Sequence, residues 1–296
     1  MKLNHCPVCA GQNFSSVVTA KDQLVSGAEF NLDECSSCSL RFTNPRPDDD
    51  QLPAYYDSAD YISHTNRPLT LTDRLYKIAR GFTLKNKRRL IAKINRDRNQ
   101  ARLLDVGCGT GHFLASCQEH GWQIIGVEPN ATARQQATTL TGSSIYQDLQ
   151  NIHNQQFEVI TLWHVLEHVP DLAQTMQTLT TLMATKGSLI IAVPNYRAYE
   201  AGKFGGHWAA YDVPRHLYHF TRQAMHTLAA KHGLKIVQTH PMWLDSFYIS
   251  LLSNQHKNKR NNYLGSFITG LLSNIYALKS GDFSSLIYHL VKNDQD

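Results

Sequence analysis

The chain has 296 residues, 42% of them hydrophobic and 18% charged, and 29 Lys and Arg against 24 Asp and Glu give a formal net charge of +5. That length holds one full α/β core plus a small module, and so mild a charge neither demands nor forbids a polyanionic partner. No apolar run reaches the length of a membrane span, and no internal repeat or low-complexity tract is visible, which excludes integral-membrane, solenoid and disordered classes.

Near the amino end, Cys6-Pro7-Val8-Cys9 and Cys35-Ser36-Ser37-Cys38 form two CxxC pairs separated by a stretch long enough for a hairpin. Four thiolates in two pairs close a tetrahedral structural zinc site with no open position for catalysis. Pro7, Ala10, Gly11 and Ser39 suit the tight turns that aim backbone N–H groups at sulfur. A disulfide reading needs an oxidising compartment. No charged-then-apolar segment precedes Cys6, so a reducing cytoplasm is the expected address. These residues predict a zinc-ribbon-like module over 1–48.

Asn44-Pro45-Arg46-Pro47-Asp48-Asp49-Asp50 breaks regular structure and marks a boundary. The segment 49–98 is then a linker and a basic helix. Tyr55, Tyr56 and Tyr61 either line the site or pack in turns. From Leu71 to Arg98 the pattern is helical, with Leu75, Ile78, Phe82, Leu90, Ile91 and Ile94 apolar. Lys77, Arg80, Lys85, Lys87, Arg88, Arg89, Lys93, Arg96 and Arg98 form either a solvated face or a surface for an anionic partner.

The most informative stretch is Leu103-Leu104-Asp105-Val106-Gly107-Cys108-Gly109-Thr110-Gly111-His112-Phe113: a buried parallel strand, a glycine loop and a helix start. The loop reads as one whose glycines let backbone N–H groups approach a ligand, with the positive end of the helix beyond. The dinucleotide fingerprint runs G-x-G-x-x-G, whereas the spacing here is G-x-G-x-G. Asp105, two residues before the first glycine, suits a cationic ligand such as S-adenosylmethionine better than a diphosphate. Gln123-Ile124-Ile125-Gly126-Val127 is a second strand, ending in Glu128, from which a carboxylate can accept both ribose hydroxyls. Ser144 to Asp148 is a short third strand whose Asp148 either accepts from an adenine amino group or forms a strand-end turn.

With Asp105, Gly107, Gly109, Gly111, Glu128 and Asp148 in these positions, the chain resembles the class I S-adenosylmethionine-dependent methyltransferases. The resemblance covers roughly residues 100–292. It implies an α/β fold built on a Rossmann-like seven-stranded sheet, mostly parallel with the last strand antiparallel, over a core at 99–296. Phe157 to Leu162 is the fourth strand and runs into Trp163-His164-Val165-Leu166-Glu167-His168, so Trp163 and His164 fall where adenine and the sulfonium are expected. The His-x-Leu-Glu-His pattern resembles the small-molecule branch acting on quinols, lipids and sugars, such as ubiquinone-type O-methyltransferases and sugar C-methyltransferases. A histidine at that place can take a proton from an attacking hydroxyl or carbon acid. Orienting a loop is the alternative role for His168.

The fifth strand, Gly187 to Asn195, leads into a long loop dense in aromatic and imidazole groups, which predicts a lid that excludes water. Asp212, Pro214, Arg215, His216, Leu217 and Phe220 resemble a signature of the same branch. Arg215 and His216 either touch substrate or fasten the loop. Thr221 is the natural N-cap of a helix over Arg222–His232. Leu234 to Thr239 is a sixth strand, and Ser284 to Lys292 has the β-branched and aromatic content of the seventh that the resemblance implies, a terminal helix being the alternative. Between them lies a helical insertion at 243–282, in which Phe247, Leu251, Leu252, Leu264, Ile268, Leu271, Leu272 and Ile275 recur at helical spacing. That stripe either covers the sheet or forms an apolar lid over a lipid-like or aromatic substrate.

The function expected is transfer of the methyl of S-adenosylmethionine to an oxygen or carbon of a small molecule, with His164, His168 or His216 as base. Two alternatives stand beside it. An RNA base methyltransferase would use the basic helix on phosphates, but Trp163-His164-Val165 stands where the Asn/Asp-Pro-Pro-aromatic motif of base amino methylation belongs. A non-catalytic cofactor-binding subunit would use the zinc module and basic helix for docking. Peripheral contact with a membrane or lipid remains compatible with the insertion.

Overall fold

The computed structural model describes residues 1–56, 71–95, 101–260 and 262–293. Tyr61, Arg96 and Arg98 lie outside the described residues, as do the side chains of Leu75, Lys77, Ile78, Arg80 and Phe82. The strands are β1 (Phe14–Lys21), β2 (Glu29–Cys35), β3 (Arg41–Thr43), β4 (Arg102–Val106), β5 (Gln123–Val127), β6 (Ile145–Tyr146), β7 (Phe157–Trp163), β8 (Met183–Pro194), β9 (Tyr218–His219), β10 (Leu234–Pro241) and β11 (Ser285–Lys292).

Seven strands form one sheet in the order β10-β11-β8-β7-β4-β5-β6, with the late strand β11 inserted antiparallel beside β8. β4 pairs in parallel with β5 on one side and β7 on the other, aligning Asp105 with Gly126 and with Thr161. Leu103, Leu104, Val159, Ile160 and Leu162 are fully buried, as strands covered on both faces require. The expected helices occur at Leu71–Ile94, Arg222–Lys231, Asp245–Asn258 and Tyr263–Ser280. Thr221 caps the second of these by accepting from the Ala224 N–H at 3.0 Å.

The compact units divide the described chain differently from the expected boundaries. One takes residues 1–56, 164–173 and 192–288; the other takes 71–95, 101–163, 174–191 and 289–293. The amino-terminal module is therefore not a separate bead. Its antiparallel sheet β1-β2-β3 is completed by β9, with Arg41 opposite His219 and Phe42 opposite Tyr218. β9 comes from the long loop after β8, and that loop is interior rather than a lid. Trp208, Tyr211, Val213, Tyr218 and Phe220 are buried, several of them packed with Ala20 and Leu32 of the module. Aromatic density here marks a core that a two-layer sheet module needs, not a cover for substrate.

The insertion also departs from expectation. On Tyr263–Ser280 the buried residues are Ser266, Thr269, Gly270, Ser273, Asn274 and Ala277, while Leu264, Ile268, Leu271 and Ile275 are exposed. That part of the apolar stripe faces away from the protein, while Phe247, Leu251, Leu252 and Leu272 are half-buried.

Candidate active site

The unit that holds the glycine loop builds its site on β4, β5 and β7. Asp105 is 2% exposed and accepts from the Thr161 hydroxyl at 2.6 Å. Burial pushes its carboxyl up to about 7. The Thr161 hydrogen bond and the Lys87 charge oppose that rise, and the Glu128 charge adds to it. Lys87, from the basic helix, lies 4.5 Å over the face of the Trp163 ring, which Phe113 meets edge-on at 5.5 Å. At least one residue of the basic stripe is thus folded onto the site rather than solvated.

The glycines perform a different task from the one expected. Gly107, Gly109 and Gly111 have φ of +69°, +54° and +80°, conformations that side chains rarely adopt. Their N–H groups are not aimed outward. Those of Gly107 and Cys108 donate to the Val127 carbonyl at 2.7 and 3.0 Å, that of Gly109 to Glu128 Oε2 at 2.8 Å and that of Gly111 to the Cys108 carbonyl at 3.1 Å. The loop must satisfy its own donors because it is wound tightly against β5. What it offers a ligand is bare Cα surface: a Cβ on Gly109 would meet nothing within 4 Å, whereas one on Gly111 would collide with Ala137 at 2.9 Å.

Glu128 is fixed at both oxygens, Oε2 by Gly109 and Oε1 by the Asn130 N–H at 2.9 Å. A carboxylate accepts about four hydrogen bonds, so about two directions stay open, enough for a diol. Asp148 is exposed and caps a short 3-10 turn, accepting from the Gln150 N–H at 3.1 Å. The turn-forming alternative therefore describes it, with Oδ1 occupied. The indole Nε1 of Trp163 is buried without a hydrogen-bond partner.

The other unit carries the imidazoles. His164, at φ +58°, sits with Nδ1 3.4 Å from Glu167 Oε1 and Nε2 3.3 Å from Asp245 Oδ2. Burial alone would lower its pKa, but a carboxylate at each ring nitrogen lifts it to about 9. An imidazolium held at both nitrogens is an ion-pair centre, not a ready proton acceptor, so His164 fits the base role poorly. His168 is the opposite case. Burial and the neighbouring His216 charge hold it down to about 4, and its Nδ1 lies 3.1 Å from both the Arg215 carbonyl and the Tyr56 hydroxyl. His216 directs Nδ1 at the Ala210 carbonyl, 2.8 Å away. If those contacts carry the Nδ1 proton, both rings present a lone pair at Nε2. Glu167, His168 and His216 bring donor atoms within 4.8 Å of one another and could hold a cation.

Arg215 is 1% exposed and fully engaged. It pairs with Asp212 at 2.5 Å and with Asp22 at 3.3 Å and donates to the Tyr55 carbonyl at 3.0 Å. That geometry favours the fastening reading over substrate contact. Asp22 also accepts from the N–H groups of Leu24, Val25 and Ser26. Sequence reasoning missed Asp22, Asp245 and Thr161, and gave Lys87 only the choice of a solvated face or an anionic partner. Only Thr161 left a local trace, as a hydroxyl inside an otherwise apolar run of β7.

In the same unit the two cysteine turns are near copies. Ala10 and Ser39 occupy the same left-handed conformation, φ +62° and +57°. Their N–H groups donate to the carbonyls of Cys6 and Cys35, both at 2.9 Å, while the N–H groups of Cys6 and Cys35 reach Gly11 and Leu40. Sγ atoms stand 3.5 Å apart for Cys6–Cys38 and for Cys9–Cys35, and all four lie within 4.8 Å. A tetrahedral ion with metal–sulfur bonds near 2.3 Å needs separations of about 3.8 Å, so a small inward or outward adjustment of the thiols accommodates zinc. Cys6 is drawn down to about 5 by its hydrogen bond with Cys38, whose own thiol is pushed up by the same contact. Gly11 is needed here: its N–H reaches Cys9 Sγ at 3.4 Å, and a Cβ would press on that sulfur at 3.2 Å.

A family model described as a methyltransferase domain matches residues 76–239, more than half of the chain. The chain belongs to the methyltransferase family. With the glycine loop and its two acids, membership makes it an S-adenosylmethionine-dependent methyltransferase, the class expected from the sequence. Among similar proteins is the ubiquinone biosynthesis O-methyltransferase of Aeromonas salmonicida, 28% identical over 185 residues, which are 56% of this methyltransferase and 76% of that protein. The protein of the same name from Rhodopseudomonas palustris is 26% identical over 123 residues, 38% of this chain and about half (49%) of its own length. The fold is that of solved methyltransferases. Magnesium protoporphyrin IX methyltransferase from Synechocystis PCC 6803 superposes with a TM-score of 0.55 at 11% identity, over 83% of this chain and 100% of that one. The plantazolicin methyltransferase BpumL gives 0.52 at 13%, over 82% and 93%. Among the described residues no helix is long and apolar enough to cross a membrane.

Proposed function

We propose that this methyltransferase alkylates an oxygen or carbon of a small molecule, in the manner of the ubiquinone-type relatives, with an imidazole accepting the proton. As the acceptor–methyl bond forms, the sulfonium–methyl bond breaks, the cofactor leaves as a neutral thioether and the acceptor's proton passes to Nε2 of His216 or His168. The observation that carries the reading is the pair of imidazoles whose Nδ1 atoms rest on backbone carbonyls, in a chain whose glycine loop lies between Asp105 of β4 and Glu128 after β5. Asp105 would meet the cofactor's ammonium, Glu128 its ribose, and Trp163 its adenine. A cytoplasmic address is part of the proposal, because four thiols need a reducing compartment.

The test is transfer of radiolabelled methyl from S-adenosylmethionine into extract divided into RNA, protein, lipid and polar metabolite fractions, with Asp105→Asn as control. Label in lipid or metabolites supports the reading. Label in RNA replaces it with nucleic-acid methylation, and cofactor binding without label anywhere replaces it with a non-catalytic role.

Two binding measurements bear on the cofactor residues. Replacing Glu128 by Gln keeps an acceptor for Gly109 but removes the charge, and calorimetric affinity should fall by about 1.5–3 kcal/mol. Because burial holds Asp105 up to about 7, its ionised form is gained as pH rises through that value. Affinity for the cationic cofactor should therefore climb as pH rises from about 6 through about 7 and fall again once the α-ammonium deprotonates at about pH 8, and Asp105→Asn should flatten the rising limb. A wild-type affinity that is flat over this range removes Asp105 from contact with the ammonium.

A further inference from the structure

The helix Tyr263–Ser280 is inside out. Leu264, Phe267, Ile268, Leu271, Ile275 and Leu278 are exposed, Leu264 at 72% and Leu278 at 69%, while Leu272 is half-buried. On a 100° helical wheel they fall on one side, in a stripe that runs most of a helix about 27 Å long. The opposite side is buried and made of small and polar residues. It packs against Asp245–Asn258, whose buried positions are Ser246, Ser250, Ser253 and Asn254. Contact is close: a Cβ on Gly270 would strike the Phe247 Cα at 2.9 Å. One bond crosses that seam, from Asn254 to the Ser266 hydroxyl at 2.8 Å, while Asn274 donates to the Trp243 carbonyl just ahead of the first helix at 2.9 Å and Lys203, from outside the pair, to Thr269 at 2.7 Å.

Helices in water bury large side chains and expose polar ones. Small residues and side-chain hydrogen bonds at the helix seam, with apolar bulk outward, are what helices use when lipid is the outer solvent. Neither helix is long and apolar enough to cross a bilayer. The charge decides which apolar partner fits. From Ser246 to Gly281 the sequence contains no Asp or Glu, while Lys257, Lys259, Arg260 and Lys279 flank the stripe at its two ends. A second copy seated on this face by two-fold symmetry would bring the same cations and the same acid-free surface against themselves. An anionic lipid surface complements them, and Tyr263 and Phe267 supply the amphipathic and apolar rings that favour the headgroup boundary.

We infer that the helical pair Asp245–Asn258 and Tyr263–Ser280 is a monotopic anchor that lays its outer stripe into the headgroup boundary of an anionic bilayer. This goes beyond the proposed reaction and does not depend on it.

The full chain, with its metal, is sedimented with vesicles of phosphatidylcholine alone and of phosphatidylcholine with about one third phosphatidylglycerol. Binding is expected on the anionic vesicles, weaker on neutral ones and weaker with added salt. The double substitution Leu271→Asp, Ile275→Asp lies on exposed positions and should leave the thermal melt unchanged while cutting the partition coefficient at least ten-fold. Lys257→Gln with Arg260→Gln should remove the preference for anionic vesicles. Absence of vesicle binding overturns the inference, as does binding that survives the Leu271 and Ile275 substitutions. So does a concentration-dependent dimer, abolished by those substitutions, in a chain that ignores vesicles, since the stripe would then belong to a second copy.

Discussion

Purified under reducing conditions, the methyltransferase should contain about one zinc per chain, and stripping it with a chelator should unfold far more than two turns. The four thiols gather at one end of a small sheet whose own buried apolar residues are few: Val8, Ala20, Leu32, Leu40 and Phe42 beside the cysteines themselves. Those residues alone bury little apolar surface, and the shared core with Trp208, Tyr211 and Val213 depends on the same strands, while structural zinc in such sites contributes apparent binding energies of about 10–16 kcal/mol at neutral pH. The loss would spread because both cysteine turns are tied to the helix Arg222–Lys231. Lys231 donates to the Val8 carbonyl at 3.1 Å and Gln223 to the Ser37 carbonyl at 3.0 Å. β3 also holds β9 by its edge. Chelation should lower the melting temperature sharply and loosen the segment around Tyr218, followed by amide exchange. Cys9→Ser, which removes one ligand and leaves three, should lose most of the metal by atomic emission. Metal-free protein with an unaltered melt would eliminate the zinc site.

Local chemistry made part of this legible. The glycine spacing, the acids at the ends of β4 and β5 and the paired cysteines are short-range patterns, and each occupies the element expected of it. The interior of the long loop was legible in composition but not in role, because aromatic density is the same signature for a lid and for a core. Periodicity in Tyr263–Ser280 identified which residues share a face, but it carries no information on whether that face turns inward. The direction of the loop amides is illegible for a related reason: positive φ follows from glycine, but where an N–H points depends on β5, which arrives later in the chain. Asp22 was invisible because its partner Arg215 lies 193 positions away, and His164 could not be assigned a charge state before Asp245 was seen beside it.

Arg215 offers the sharpest separation between fastening and substrate binding. Its guanidinium is buried with two carboxylates, and its Nε and both terminal nitrogens have protein partners: Asp212, Asp22 and the Tyr55 carbonyl. Removing the cation leaves Asp22 buried, and Asp212 half-buried, without it, so Arg215→Ala should destabilise the fold by about 3 kcal/mol, read as a lowered urea midpoint. Arg215→Lys should recover part of the loss, since one ammonium cannot reproduce a planar fork that spans Asp22 and Asp212 together. The pH dependence gives a second reading. Burial would raise both carboxyls, but the Ser26 N–H and hydroxyl hold Asp22 below its ordinary value, and the Arg215 hydrogen bonds do the same for Asp212. Carboxyls depressed in the fold contribute stability that is present above their unfolded values near 4 and is lost as pH falls through their folded ones. The wild-type chain should therefore keep this contribution down to about pH 4 and lose it below. Arg215→Ala should begin to fail at higher pH, because Asp212 and, to a lesser degree, Asp22 are then no longer depressed. If Arg215 instead clamps an anionic substrate, the alanine variant will keep the urea midpoint and acid limb of the wild type and lose methyl transfer alone.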